Sequence, residues 1–219
     1  MHRETELFVC ADTALQEQTM AAAVALRQQM DAYIMRHAAF AKSLEPVKPM
    51  SGAPDVIKDM CRAGYAANVG PMAAVAGAFA AHVGSELLRH TKQVIVENGG
   101  DVFMKTDARR TVAVYAGESP ISMRIGIEVD TSAAPMAICT SSGRIGHSKS
   151  FGSADAAVVL SHDACLADAC ATWLGNDIKK EDDLQRALDT IIAVDGVIGA
   201  VAVMGQTCGA VGNISLVSL

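Results

Sequence analysis

The stretch AAVVLSHDACLADACAT, residues 156–172, places a short apolar run directly before an alanine-rich segment. Ala156 to Leu160 is uninterrupted in its apolar character, which is typical of a buried strand. Ser161 follows, and serine is among the residue types that cap the N-terminus of a helix. The rest of the stretch predicts a helix that ends near Gly175. A buried strand and a helix therefore follow each other directly here.

Two oxygen-bearing side chains of this helix, Asp168 and Thr172, are four residues apart and so share one face. A carboxylate and a hydroxyl placed this way among small alanines form a hard-oxygen pocket that suits Mg²⁺ or Ca²⁺. Because the predicted helix ends near Gly175, carbonyls close to Ala171 belong to the last four that lack an intrahelical partner. One of them can be a third ligand. The alternative interpretation is a solvated pair or a local hydrogen bond.

Outward from this stretch, the first third of the chain has helical patterns and the rest is rich in strands. The predicted helices are Thr13 to Lys42, Pro54 to Ala66, Met72 to Leu88 and Glu181 to Thr190. The predicted strands are Glu6 to Ala11, Val94 to Val96, Asp101 to Met104, Thr111 to Tyr115, Arg124 to Val129 and Ala156 to Leu160. Ile198 to Met204 and Asn213 to Val217 flank a glycine-rich segment, which predicts a terminal hairpin.

This order of elements predicts the α+β class, with helices packed on a mostly antiparallel sheet. We expect one domain over residues 1–219, made of a helical N-terminal part (1–66) and a motif-bearing α+β part (67–219). The chain is 51% hydrophobic but only 4% aromatic, so Ala, Val, Ile, Leu and Met must build the core.

Composition also restricts the partners and the compartment. The net charge is −6 and the basic residues are scattered, which argues against nucleic acid as a partner. The apolar window Gly70 to Gly84 is too short to span a bilayer and contains His82, so we predict a buried helix and no membrane anchor. Six cysteines without a CxxC pair, and an N-terminus without a secretory apolar core, predict a cytoplasmic protein with reduced thiols.

A second candidate motif, Glu97-Asn98-Gly99-Gly100-Asp101, directly follows an apolar strand. Two consecutive glycines permit positive φ and let a ligand approach the backbone closely. The flanking Asn98 and Asp101 can recognise hydroxyls or an amino group. A β-bulge or a tight hairpin turn explains the same residues equally well.

A third candidate motif, Thr140-Ser141-Ser142-Gly143, offers hydroxyls and backbone N–H groups that can hold a phosphate. The alternative is an ordinary polar loop. Arg144 and His147 follow closely and can neutralise phosphate charge or carry a proton.

These three motifs, in this order, resemble the successive motifs of the ApbE superfamily: a strand ending in G-G-D, a T-S-G loop and an A-D-A-x-A-T helix. The resemblance covers about residues 68 to 176. The chain is most similar to a compact branch of the superfamily, nearly end to end, including the segments Gly70 to Gly77 and Gly146 to Ser148.

The resemblance implies a T-fold-like α+β protein that binds FAD with Mg²⁺ and transfers FMN to a threonine or serine of a target protein. It implies that Asp168, Thr172 and the Ala171 carbonyl hold the metal. The residues that it places along the flavin are Asn98, Gly99, Gly100, Asp101, Thr140, Ser141 and Gly143, and Ser142 lies within the same loop.

The chain departs from the transferase pattern at two places. The segment after T-S-G keeps His147 but lacks the Asp-Pro-x-Thr-Gly that follows in transferases, and Ala76 replaces the lysine expected before Gly77. Both changes remove groups near the phosphates and the reacting centre, so we expect a changed ligand or reaction.

Two functional hypotheses follow from these observations. In the first, the chain binds a flavin or related nucleotide with Mg²⁺ and acts as an FMN transferase or a diverged phosphotransfer enzyme. A hydroxyl of Thr140 or Ser141, or His147, then handles protons. In the second, it is a non-catalytic accessory or assembly protein, for which the resemblance suggests anaerobic sulfur assimilation leading to homocysteine. A partner protein or a homo-oligomer is compatible with either hypothesis.

Overall fold

The computed structural model describes residues 6–142 and 152–219. Within them the strands are β1 Leu7–Ala11, β2 Val94–Asn98, β3 Asp101–Lys105, β4 Arg110–Ala113, β5 Ile125–Val129, β6 Met136–Ser141, β7 Ala156–Ser161, β8 Val197–Met204, β9 Thr207–Gly212 and β10 Ser215–Ser218. The α-helices are α1 Gln16–Arg36, α2 Ala38–Lys42, α3 Asp55–Ala66, α4 Val75–Leu87, α5 Ala164–Asp177 and α6 Leu184–Ile191. Short 3₁₀ turns, Pro71–Ala74 and Glu181–Asp183, precede α4 and α6.

The strands form two sheets in which every described pairing is antiparallel. The larger sheet has seven strands in the order β1-β2-β3-β6-β7-β8-β9, and the smaller has three in the order β10-β5-β4. The predicted α+β class, with helices packed on a mostly antiparallel sheet, is therefore confirmed.

The seven-stranded sheet is the middle layer of three, because successive side chains of a strand point to opposite faces. Cys139 and Val159 belong to a core shared with helices α3, α4 and α5. Their neighbours Ile138 and Val158 belong to a second core, shared with Ile127 of the small sheet. Helices thus cover one face of the large sheet and the small sheet covers the other.

Several predicted boundaries were wrong for identifiable reasons. The long first helix is interrupted at His37, whose φ of −135° is not helical. The break directs Phe40 into the core, where its ring packs edge-on against Tyr33 at 5.2 Å. The terminal hairpin consists of β8 and β9, whereas β10 crosses to pair with β5 in the small sheet.

The cap of α5 also differs from the prediction. Ser161 remains in β7, opposite Val197 of β8, and its hydroxyl donates to the Gly196 carbonyl at 2.7 Å. Asp163 caps the helix instead, since its carboxylate accepts a hydrogen bond from the Leu166 amide at 3.2 Å.

The predicted buried helix is confirmed as α4, whose Ala78, Phe79 and Val83 are almost fully enclosed. Within the described ranges, no individual helix combines the length and apolar character needed to cross a membrane. Asp55–Ala66 and Pro71–Leu87 meet those criteria only as a pair, bent by 108° at the break between them.

Candidate functional site

The Asp168 carboxyl lies where helix α5 crosses the beginning of helix α4. Its Oδ2 accepts a hydrogen bond from the Gly77 amide at 2.8 Å, and the Ala76 amide also donates to the carboxyl. Ala74, the residue before α4, supplies no side-chain cap. Asp168 therefore caps α4 from another helix, where the positive end of the helix dipole favours an anion.

Gly77 is the residue that lets the two helices approach this closely. A Cβ added to Gly77 would collide with the Ala164 carbonyl oxygen and would lie 2.9 Å from Cβ of Asp168. A side chain at this position would force α4 and α5 apart, so the glycine is required by packing rather than by an unusual φ.

A second buried carboxyl, Asp101 at the start of β3, lies on the same face of the large sheet. Its Oδ1 accepts a hydrogen bond from the Thr140 amide at 3.2 Å, while the neighbouring Cys139 thiol donates to the Ala164 carbonyl at 3.6 Å. Burial raises the pKa of the Cys139 thiol well above its usual range, so the sulfur stays protonated.

The two carboxyls are close enough to affect each other electrostatically. Burial raises the pKa of Asp168 to about 7. Burial, and then the charge of Asp168, raise the pKa of Asp101 well above its ordinary value. No lysine or arginine within residues 6–142 and 152–219 pairs with either group. A cation would therefore favour their ionised forms.

Thr172 adds a hydroxyl one helical turn after Asp168. It is half-buried, and its hydroxyl makes no hydrogen bond to the part of the chain that the structure describes. Further along the same face, Gly175 lies against Ser141 of β6, whose Oγ would be 3.3 Å from an added Cβ. The side chains of Asp168 and Thr172 thus belong to one helix surface, as the sequence predicted.

The sequence placed the Ala171 carbonyl among the unpaired carbonyls at the end of the helix, and this prediction was wrong. Helix α5 continues to Asp177, so Ala171 lies inside the helix and not among its last four residues. A carbonyl oxygen has a second lone pair, and Ala171 can use it for a metal. Across residues 6–142 and 152–219, no three His, Cys, Asp or Glu side chains converge as a metal cluster. A metal here would need hydroxyl and carbonyl ligands.

Gly99 and Gly100 form the two-residue turn between β2 and β3. Their φ angles are +64° and +102°, and Asn98 pairs with Asp101 across the hairpin. The tight-turn interpretation is therefore confirmed. Asn98 uses its side chain locally, since Nδ2 donates to the Ala76 carbonyl at 3.2 Å and ties this hairpin to the start of α4.

The predicted polar loop at Thr140 and Ser141 was wrong, because both residues lie in β6. They pair with Val158 and Ala157 of β7, which extends the strand through Ser141. The Thr140 amide donates to Asp101, so it is not available to hold a phosphate. The predicted Gly143, Arg144 and His147 lie outside the described residues.

A cleft of 340 Å³ lies on the opposite face of the large sheet, towards the small sheet. Four predicted residues line it, namely Gly99, Gly100, Thr140 and Ser142. Further lining residues, not predicted from the sequence, are Glu97, Val102, Val112, Ala113 and Tyr115. The volume lies within the range of about 300–1,000 Å³ that is usual for small-molecule pockets.

The structure therefore divides the predicted site residues between two faces of one sheet. Asp101, Ser141, Asp168 and Thr172 lie on the helix face, and Thr140 lines the cleft on the other. The two groups meet at the end of the sheet, where the Gly99–Gly100 turn joins β2 to β3.

Comparison with known proteins shows the family. The family model described as AbpE bacteria matches residues 1–212. A UPF0280 protein of Methanocella arvoryzae is 39% identical over 213 residues, which are 97% of this chain and 86% of that protein. A UPF0280 protein of Methanosarcina acetivorans is 35% identical over 215 residues, which are 97% of this chain and 85% of that protein.

A solved structure shares the fold. The apo crystal structure of the flavinyl transferase ApbE from Pseudomonas stutzeri superposes with a TM-score of 0.59 at 13% identity, covering 95% of this chain and 94% of that chain. The chain belongs to the AbpE bacteria family and has the ApbE fold, so the resemblance predicted from its motifs is confirmed.

Proposed function

We propose that this member of the AbpE bacteria family binds a flavin nucleotide together with Mg²⁺ at the end of its seven-stranded sheet. It acts on that nucleotide as an FMN transferase or as a diverged phosphotransfer enzyme. The observation that carries the proposal is the pair of buried carboxyls, Asp101 and Asp168, without a cationic partner in the described ranges.

The donor set fits a hard divalent cation. Asp168, Thr172 and the Ala171 carbonyl supply the oxygens that Mg²⁺ prefers, and Asp101 adds negative charge nearby. When bound, the metal supplies charge neutralisation for phosphate oxygens and for a leaving group. This role explains why the fold tolerates two carboxyls in a place where burial opposes their ionisation.

Hydroxyl groups of this chain lie on both sides of the sheet end and can carry protons. Ser141 shares the helix face with Asp168, whereas Thr140 lines the cleft. We assign the proton-handling role to Thr140 or to His147, with Ser141 and Ser142 binding the nucleotide.

Thermal unfolding with FAD and Mg²⁺ tests the proposal directly. We expect FAD to raise the melting temperature in Mg²⁺ and to do so much less in EDTA, because ligand binding to the native state stabilises it. No shift with FAD, FMN or ADP in Mg²⁺ would overturn the proposal.

Three variants separate the metal role of Asp168 from its capping role. Asp168→Asn retains an oxygen that can accept from Gly77 but removes the charge, so it should fold and lose the Mg²⁺ dependence. Asp168→Ala removes the cap as well and should also lower stability. Asp182→Ala, at an aspartate whose side chain is 86% exposed, is the matched control and should change neither property.

The capping contact also favours a second candidate function. A carboxylate that caps α4 has a structural purpose without any ligand, as expected for an accessory protein that kept the fold. In that case Asp168→Asn would retain full biological activity, whereas a metal-dependent enzyme would lose it.

A further inference from the structure

The cleft between the two sheets has the chemistry of a site for a planar ring. Val102, Val112 and Ala113 give it an apolar wall, and Tyr115 lies at it with 56% of its surface exposed. Aromatic side chains stack favourably on flat conjugated rings. An exposed tyrosine at an apolar cleft is therefore suited to this contact.

The same cleft is poorly suited to a phosphate. The described residues that line it include no lysine, arginine or histidine, and they include the carboxylate of Glu97. A phosphate placed here would meet the like charge of Glu97, with no counterion among the described lining residues. An uncharged ring is thus the part of a nucleotide that this wall would accept.

The backbone around Tyr115 is held in place before any ligand binds. The Val114 amide donates to the Ile125 carbonyl at 3.0 Å, and the Met123 amide donates to the Val114 carbonyl at 2.8 Å. On the other side, the Ala116 amide donates to Ser122 Oγ at 2.9 Å. Because the backbone that carries Tyr115 is fixed on both sides, stacking of a ring needs to order only the tyrosine side chain.

The Gly99–Gly100 turn separates this cleft from the carboxyls of the helix face. Among the atoms that the structure describes, none lies within 4 Å of a Cβ added to Gly99, and one added to Gly100 meets the Thr140 carbonyl oxygen at 4.0 Å. Within residues 6–142 and 152–219, no side chain therefore separates the two faces at this turn, and an extended molecule can follow the turn from one face to the other.

We infer that the ligand bends around the end of the seven-stranded sheet, with its planar ring stacked on Tyr115 and its phosphates held through the Mg²⁺ that Asp168 and Thr172 would bind. The inference rests on the proposed function and makes it more specific. It names a bipartite substrate class, in which a conjugated ring and a phosphate group are recognised on opposite faces of one sheet.

Riboflavin and FAD test the two halves separately, because riboflavin has the ring and no phosphate. We expect riboflavin fluorescence to be quenched on binding, since stacking on a tyrosine provides a route for electron transfer. Tyr115→Ala should abolish the quenching and weaken riboflavin binding about tenfold. Tyr115→Phe should retain binding, and Tyr65→Ala, at another exposed tyrosine outside the cleft, should behave as wild type.

The reciprocal variant completes the test. Asp168→Asn should leave riboflavin quenching unchanged and remove the Mg²⁺ dependence of FAD affinity, whereas Tyr115→Ala should retain that dependence at weaker affinity. If wild type binds FAD with Mg²⁺ but Tyr115→Ala binds it equally well, the inference is overturned and the proposed function stands. If wild type binds neither FAD nor riboflavin, both are overturned.

Discussion

At the scale of single residues, two opposing effects act on the charge of the Asp168 carboxyl. Burial favours its protonated form, while the amides of Ala76 and Gly77 favour the carboxylate. Burial has the larger effect, so the pKa is raised to about 7. A bound Mg²⁺ would reverse this balance, because a cation favours the ionised form.

The raised pKa predicts how stability depends on pH without metal. The unfolded carboxyl releases its proton near pH 4 and the folded one near pH 7, so between these values the native state binds more protons. We expect the free energy of unfolding in EDTA to fall as pH rises through this window, by at most about 1.4 kcal/mol per pH unit. The raised pKa of Asp101 adds to the same decline in the free energy of unfolding as pH rises.

Urea unfolding from pH 5 to pH 8 measures this contribution as the difference between wild type and Asp168→Asn. The variant should have the shallower decline, and Mg²⁺ should stabilise wild type most at pH 8. Parallel curves for the two proteins would show that Asp168 is not responsible.

The second residue-scale prediction concerns Gly77. Gly77→Ala places a Cβ against the Ala164 carbonyl oxygen and 2.9 Å from Cβ of Asp168, so the helices must separate. We expect a loss of about 1–3 kcal/mol, measured by urea unfolding. Gly175→Ala is the control, since the nearest described atoms to its Cβ would belong to the side chains of Ser141 and Ala157, at 3.3 Å or more. Equal losses would contradict the packing argument.

At the scale of elements, the β2–β3 hairpin depends on backbone conformation more than on space. Gly99 has φ of +64°, a left-handed value that asparagine adopts readily, whereas Gly100 has φ of +102°, which residues with a Cβ rarely adopt. We expect Gly99→Asn to leave stability nearly unchanged and Gly100→Val to cost about 1–3 kcal/mol in urea unfolding. A larger loss for Gly99→Asn would show that contacts control the turn.

Elements with a strong local signal could be predicted, and those that depend on distant pairing could not. The Gly-Gly turn and the apolar run of β7 are properties of a few adjacent residues. By contrast, Thr140 and Ser141 have a loop-like composition and become strand because β7 pairs with them. Ser161 has the chemistry of a cap, but its pairing with β8 keeps it in the sheet and leaves the cap to Asp163.

The residues of the candidate site show the same difference between local signals and distant pairing. Asp168 and Thr172 were predictable because helical spacing alone places them on one face. Tyr115 was not, because it reaches the cleft only after two separate sheets pack together. Sequence periodicity shows that a strand has two faces, but it does not show which other sheet will cover one of them.

At the scale of the whole molecule, the seven-stranded sheet connects two cores. Ile57 of α3 lies in the core on the helix face, and Ile127 of β5 lies in the core on the small-sheet face. Alternate residues of the same central strands belong to each core, as Ile138 and Cys139 show. Neither core can lose its packing without disturbing the strands that support the other.

This sharing predicts a single cooperative unfolding transition, consistent with one domain over the whole chain. Both isoleucines are fully buried, so Ile57→Ala and Ile127→Ala should each cost about 2–5 kcal/mol. In calorimetry, each variant should shift one common transition to lower temperature, by roughly 5–15 °C. Ala substitution of the exposed Met35 should have little effect.

If Ile57→Ala instead moved one transition and Ile127→Ala another, the helical N-terminal part and the sheets would unfold independently. The cleft and both carboxyls would then remain together in residues 67–219, because Asp101 and Val102 lie in β3 and Asp168 lies in α5.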